Sequence, residues 1–188
     1  QKYLRSGNAK NLDNILILGN PDLGNKSLDL PSAEEEAKAI AALVPNNQIL
    51  TRKVATETYF KKSAQKFSYL HIASHGQFKS DSALESRLLL APDAEIDCSL
   101  TVNELYGIKL NADLVTLSAC ETGLGKVLSG DDLVGLTRGF LFAGASNIVA
   151  SLWEVDDEAT STLMKSFYNF IQDNIILTKN TNYQLKKC

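Results

Sequence analysis

The sequence predicts an α/β fold with a mostly parallel central sheet and helices on both of its faces. Two observations lead there. Short apolar runs alternate with amphipathic helical stretches along the chain, the pattern of strands joined by crossover helices. Two of those runs, Tyr69-Leu70-His71-Ile72-Ala73-Ser74 and Leu114-Val115-Thr116-Leu117-Ser118-Ala119, stop directly at chemistry-bearing residues, His75-Gly76 and Cys120-Glu121-Thr122-Gly123. An open α/β sheet collects such groups at the carboxyl ends of its strands.

Taken in order, Asn14 to Gly19 is a run of buried-strand type, closed by the turn residues Asn20-Pro21-Asp22. After a polar loop, Pro31-Ser32 opens a helix. Ser32 and Glu35 have capping-box spacing, Ile40, Leu43 and Val44 form an apolar stripe, and Pro45-Asn46-Asn47 ends it. Gln48 to Thr51 is a brief strand, and Thr56 suits the N-cap of a second helix reaching about Gln65. Phe67 to Ser74 is the strand that carries His71 and delivers His75. Arg87 to Ala91 and Ile96 to Leu100 read as a hairpin around Pro92-Asp93, and Thr101 with Glu104 is a capping box for a short helix ending at Gly107. Asp113 to Ala119 is the strand that reaches Cys120. Asp131-Asp132 opens an apolar helix that stops at Gly144, and Asn147 to Leu152 is a fifth strand. A long amphipathic helix from near Asp156-Asp157 uses Leu163, Phe167, Phe170 and Ile171. No fixed-period repeat or low-complexity tract interrupts this order.

With 188 residues, the chain reads as one domain over 1–188, large enough for a substantial core. Its 44% apolar and 22% charged residues place it with globular rather than disordered chains. A net charge of −3 gives no electrostatic reason to expect nucleic acid or an anionic membrane as partner. No apolar run approaches the ~18 residues of a membrane span, and no secretory signal pattern opens the chain. Cys98, Cys120 and Cys188 are odd in number and widely spaced, which fits neither a disulfide framework nor a zinc ribbon and suits a reducing cytoplasm. A start at Gln1 and an end inside a helical pattern, Leu185-Lys186-Lys187-Cys188, read as a piece of a longer chain with its last helix truncated. Neighbouring segments are expected, at least upstream.

His75 and Cys120 are the candidate dyad. A peptidase thiol acts as a thiolate, and an adjacent imidazole serves first as base and then as proton donor. Neighbouring parallel strands, about 4.8 Å apart, would bring the two together across the sequence. The competing reading is a buried core cysteine and a strand-end histidine with a backbone partner. Gly76, Gly123 and Gly125 weigh against it, since they open the backbone around both residues, and the Gly76 N–H is available to an oxyanion. His71 and His75 have the four-residue spacing of a helical metal site, but on a strand that spacing spans about 13 Å, so no metal and no cofactor is expected. His71 then reads as a core or edge histidine. Gly123-Leu124-Gly125 lacks the third dinucleotide-binding glycine, which would fall at Leu128, and Gly125-Lys126 is followed by Val127 rather than the hydroxyl of a P-loop. No G-x-S-x-G elbow is present. The chain order, His before Cys, is the reverse of papain-like enzymes and class I amidotransferases.

His71-Ile72-Ala73-Ser74-His75-Gly76, the Ser118-Ala119-Cys120-Glu121-Thr122-Gly123 turn, the long segment from Ser129 to Thr160 and Leu163-Met164-Lys165-Ser166-Phe167-Tyr168-Asn169-Phe170-Ile171 together resemble the CHAT domain, the caspase-like module often fused to TPR repeats. The resemblance covers the chain from about Asn14 to its end and implies a caspase-like three-layer sandwich. It implies His75 as general base, Cys120 as nucleophile and the backbone N–H groups of Gly76 and Cys120 as oxyanion hole. Ser151-Leu152-Trp153-Glu154-Val155-Asp156-Asp157 is similar to a separase segment that contributes to the P1 pocket. Glu154, Asp156 or Asp157 would there meet a basic P1 residue, with Trp153 as an apolar wall; the alternatives are that Asp156 or Asp157 caps the next helix and that Trp153 belongs to the core. Ser118 stands where metacaspases carry an acid, a departure that bears on basic specificity.

The function expected is a cytoplasmic bacterial cysteine endopeptidase cleaving a protein or peptide substrate in a regulated signalling or defence pathway, with a TPR or other sensor region upstream. The alternative is a latent or inactive signalling or scaffold module that needs a partner or the missing upstream region.

Overall fold

The structure is a computed structural model that describes residues 12–79, 81–93, 98–118, 120–121, 131–150 and 157–185. The first half runs β1 (Ile15–Pro21), α1 (Pro31–Leu43), β2 (Asn47–Arg52), α2 (Glu57–Ser63) and β3 (Tyr69–Ala73). Three short strands follow, β4 (His75–Gln77), β5 (Arg87–Leu89) and β6 (Ser99–Thr101), and then α3 (Val102–Leu105). The chain continues through β7 (Leu114–Leu117), β8 (Cys120–Glu121), α4 (Asp131–Ala143), β9 (Ile148–Ala150) and α5 (Asp157–Leu185).

The main sheet has five strands in the order β2-β1-β3-β7-β9. Every pairing in it is parallel. β1 is buried along its whole length because strands flank it and both of its faces are covered. Side-chain alternation sorts the core into two layers. Ile15, Ile17 and Tyr69 pack with Ala37 and Ile40 of α1 and Tyr168 of α5. Leu16, Leu18, Leu70, Ile72, Val115 and Leu117 pack on the other face against Phe60 of α2, Leu105 of α3 and Phe140 of α4. The result is the three-layer α/β arrangement that the alternating pattern predicts.

Two local departures from the sequence reading have clear causes. The helix α1 is not capped by Ser32: Leu30 is its N-cap and Pro31 fills the first helical position, where a missing N–H costs nothing. The Ser32 N–H instead donates to Asp157 Oδ2 at 3.1 Å, and Ser161 Oγ donates to Ser32 O at 3.1 Å, so the starts of α1 and α5 are tied to each other. The strand read as Phe67 to Ser74 ends at Ala73. Ser118 N donates to Ile72 O at 2.9 Å, the last rung of β3 with its neighbour, and beyond it both chains leave for a second sheet.

That second sheet has the order β6-β5-β4-β8. Its β5–β6 hairpin is antiparallel, and Thr101 and Glu104 form the capping box of α3 immediately after it. Ile96, on the predicted hairpin, lies outside the described residues, as do Ala119, Gly123 and Gly125. Glycine is required where α1 crosses β1: a Cβ on Gly19 would sit 2.5 Å from that of Ala37. Gly144 ends α4 at φ +118°, a conformation that side chains oppose.

Candidate functional site

In the main sheet the strand order reverses direction between β1 and β3, the point at which open α/β sheets place their ligands. The residues after β1 and those after β3 meet there. His75, the first residue of β4, is 6% exposed, and its Nε2 lies 2.7 Å from the main-chain oxygen of Leu28, in the loop that follows β1. A carbonyl oxygen only accepts, so Nε2 carries the proton and donates it. In the neutral ring Nδ1 then holds the free lone pair. That atom is buried and has no hydrogen-bond partner among the described residues.

The loop bearing Leu28 is held from both ends. Asn20 adopts the left-handed φ of 48°, and its side chain folds back to accept from Leu30 N at 2.9 Å and donate to Glu34 at 3.4 Å. Asn25 caps a 3-10 turn, Lys26–Leu28, by accepting from Ser27 N at 3.0 Å. Arg52, at the end of β2 and also left-handed at φ 54°, donates to Asp29 at 2.8 Å and lies 3.9 Å from Asp22. The hydrogen bond to Asp29 raises the pKa of the Arg52 guanidinium above its ordinary value. These contacts fix the carbonyl that faces His75.

β4 and β8 pair in parallel, with His75 opposite Cys120 and Gly76 opposite Glu121. The backbone therefore brings His75 and Cys120 to adjacent positions on neighbouring strands, at the strand spacing of about 4.8 Å. Gly76, the next residue after His75, is buried and also pairs with Leu88 on the other side. Ser118 is buried and spends its N–H on Ile72 O. Asp157 gives its carboxylate to Ser32 N at the start of α1. Trp153, Glu154 and Asp156 lie outside the described residues.

His71 occupies a different setting four residues earlier. It is fully buried, with Nε2 2.7 Å from Glu36 of α1 in a contact that is close but not aligned as a hydrogen bond. Its ring meets Tyr168 of α5 edge-on at 5.3 Å, and the Tyr168 hydroxyl donates to Thr116 of β7 at 2.9 Å. Burial raises the Tyr168 phenol well above its ordinary pKa. The main sheet and the layer formed by α1 and α5 thus meet at one buried polar cluster.

On the opposite face, Lys61 joins Glu57 and Glu104 and ties α2 to α3. Burial opposes ionisation of Glu104, but hydrogen bonds from Lys61 and Thr101 outweigh it and hold its carboxyl at about 2. Burial raises the pKa of its neighbour Glu57.

Leu28 and Arg52 are the site residues that sequence reasoning does not find. Leu28 acts through its backbone, which leaves no side-chain signature. The signals that were present are the loop between Asp22 and Leu30, with acids at both ends, and an arginine at the end of the next strand.

The CHAT domain family matches residues 2–179 of the chain. Among curated proteins, tetratricopeptide repeat protein 28 of mouse is 27% identical over 203 residues, covering 85% of this chain and 8% of its own length. The human protein of that name is 26% identical over 198 residues, with the same coverage. The chain therefore spans less than a tenth of the curated relatives it matches. Among solved structures, a flavodoxin of Streptococcus pneumonia TIGR4 is 12% identical with a TM-score of 0.48, over 86% of this chain and 98% of that one.

Proposed function

Because the chain belongs to the CHAT domain family, a caspase-like family, we propose that it is a cysteine endopeptidase in which Cys120 is the nucleophile and His75 the acid and base. One observation carries this reading: β4 and β8 set His75 opposite Cys120 while the Leu28 carbonyl engages Nε2. With Nε2–H committed to Leu28, Nδ1 takes the proton of the Cys120 thiol. The imidazolium keeps its Nε2–H bond to the carbonyl, which strengthens with the charge. The thiolate attacks a peptide carbonyl carbon, and the Gly76 and Cys120 N–H groups receive the oxyanion. Nδ1–H protonates the leaving amine as the C–N bond breaks, which leaves a thioester. Nδ1 then activates the water that hydrolyses it, releasing the acid and restoring the thiol.

The mouse and human relatives are named as tetratricopeptide repeat proteins. We take a repeat region of that kind, beside this domain, as the part that presents or gates the substrate.

The test is labelling and cleavage. The unaltered chain is expected to react with an acyloxymethylketone and to cut members of a randomised peptide library. Cys120→Ala abolishes both, and His75→Ala lowers turnover by about 10²- to 10⁴-fold. Cleavage surviving in Cys120→Ala overturns the reading. A Cys120 that alkylates with the pH profile of an ordinary thiol, together with no cleavage, favours a signalling module instead.

A further inference from the structure

A cavity of about 260 Å³ is lined in part by Leu28, the residue whose carbonyl holds His75. Leu23 and Leu28 of the loop after β1 line it from one side; Arg87 and Leu89 of β5, Pro92, and Ser99 of β6 line it from the other. Its size suits one or two side chains, since sites for whole cofactors or drug-sized ligands run to roughly 300–1,000 Å³. Leu23, Leu28 and Leu89 are half-buried apolar residues that no core cluster claims.

The register of the second sheet connects this cavity to the dyad. Cys120 pairs with His75 across β8 and β4, and Leu89 pairs with Ser99 across β5 and β6. Between them, Gly76 pairs with Leu88 and Gln77 with Arg87, so one further step sets Leu89 opposite His75. Cys120, His75, Leu89 and Ser99 thus occupy one row, strand after strand, with His75 between the nucleophile and the cavity. Leu28 closes the arrangement: its carbonyl holds His75 and the same residue lines the cavity.

A general acid donates its proton to the leaving amine, so the leaving half of a substrate lies against the histidine. We infer that this cavity is the subsite for the leaving-group side of the scissile bond, and that it accepts an apolar, aliphatic side chain from the first residues of that segment. The inference takes its orientation from the peptidase reading. Arg87, the charged residue among those lining the cavity, sits where it would meet a carbonyl or carboxylate further along the peptide.

The subsite is tested separately from catalysis. The Cys120→Ala chain, with isotope-labelled leucine methyl groups, is titrated with leucyl-alanine amide and with glycyl-alanine amide as stand-ins for the leaving segment. The leucine compound is expected to shift the Leu28 and Leu89 methyl resonances saturably and to bind about tenfold or more tightly than the glycine compound. Leu89→Trp fills the cavity and removes the difference. Leu23→Trp does so from the loop side, where no core packing is at stake. Equal binding of the two amides, or shifts confined to other leucines, overturns the subsite. In the library assay, cleavage with no apolar preference on the leaving side overturns it while leaving the peptidase reading intact. Selective binding without any hydrolysis keeps the cavity as a peptide subsite and overturns the peptidase reading instead.

Discussion

His71 and His75 are four residues apart on one continuous stretch of chain, yet they live in opposite surroundings. His71 is enclosed between the main sheet and the α1/α5 layer, with Glu36 and Tyr168 against its ring. His75 has crossed into the small sheet, where one ring nitrogen is held by a backbone carbonyl and the other has no partner among the described residues. The break at Ser74 separates them. Residues inside the five-stranded sheet serve the packing of its layers, whereas those just beyond its last rung stand where β4 and β8 pair in the second sheet. The difference is one of partner and not of exposure: both histidines are buried, but His71 faces the side chains of Glu36 and Tyr168 whereas His75 is held by a backbone carbonyl.

The sharpest way to break this contrast is to remove the inner histidine. His71→Leu leaves the Glu36 carboxyl buried without its partner and is expected to cost about 3–5 kcal/mol in denaturant unfolding. The double change His71→Leu with Glu36→Leu is expected to recover most of that, since an apolar pair of similar volume often matches a buried polar one. A double variant no more stable than the single one would show that the cluster does more than fill space. Arg52→Ala probes the outer histidine. Loosening the loop that carries Leu28 is expected to lower turnover in the proposed cleavage by about tenfold, while unfolding free energy changes by only about 0.5 kcal/mol, because Arg52 is partly exposed. A stability loss as large as the activity loss would place Arg52 with the structural residues instead. The smallest effect belongs to Tyr168→Phe, which deletes the hydrogen bond to Thr116 and is expected to cost about 1 kcal/mol, read as a shift of the unfolding midpoint with turnover unchanged.

The layered α/β fold was legible because period-two and period-3.6 patterns alternate cleanly, and Thr56 and Thr101 signal their helices through side-chain caps that the structure contains. The adjacency of His75 and Cys120 was legible for a related reason: parallel strands of matched length deliver their next residues to the same edge. The passage of both strands into a second sheet was not, since Tyr69 to Ser74 and Leu114 to Ala119 read as unbroken apolar runs and a change of hydrogen-bonding partner leaves no mark in residue type. The capping of α1 was misread because Asp157, which takes the Ser32 N–H, is 125 residues away. The Leu28 carbonyl was invisible for the most general reason, being a group that every residue possesses.

The wide sequence spacing of the site has a consequence for how the protein comes into being. Leu28 and His75 are 47 residues apart, and His75 meets Cys120 only across a strand pairing that follows closure of β1, β3 and β7 into parallel register. Such non-local pairings form late, after the entropy of closing long loops has been overcome. The three groups therefore stand together only where β1, β3 and β7 have closed into register. Their juxtaposition is a product of the sheet, and no local segment of the chain possesses it.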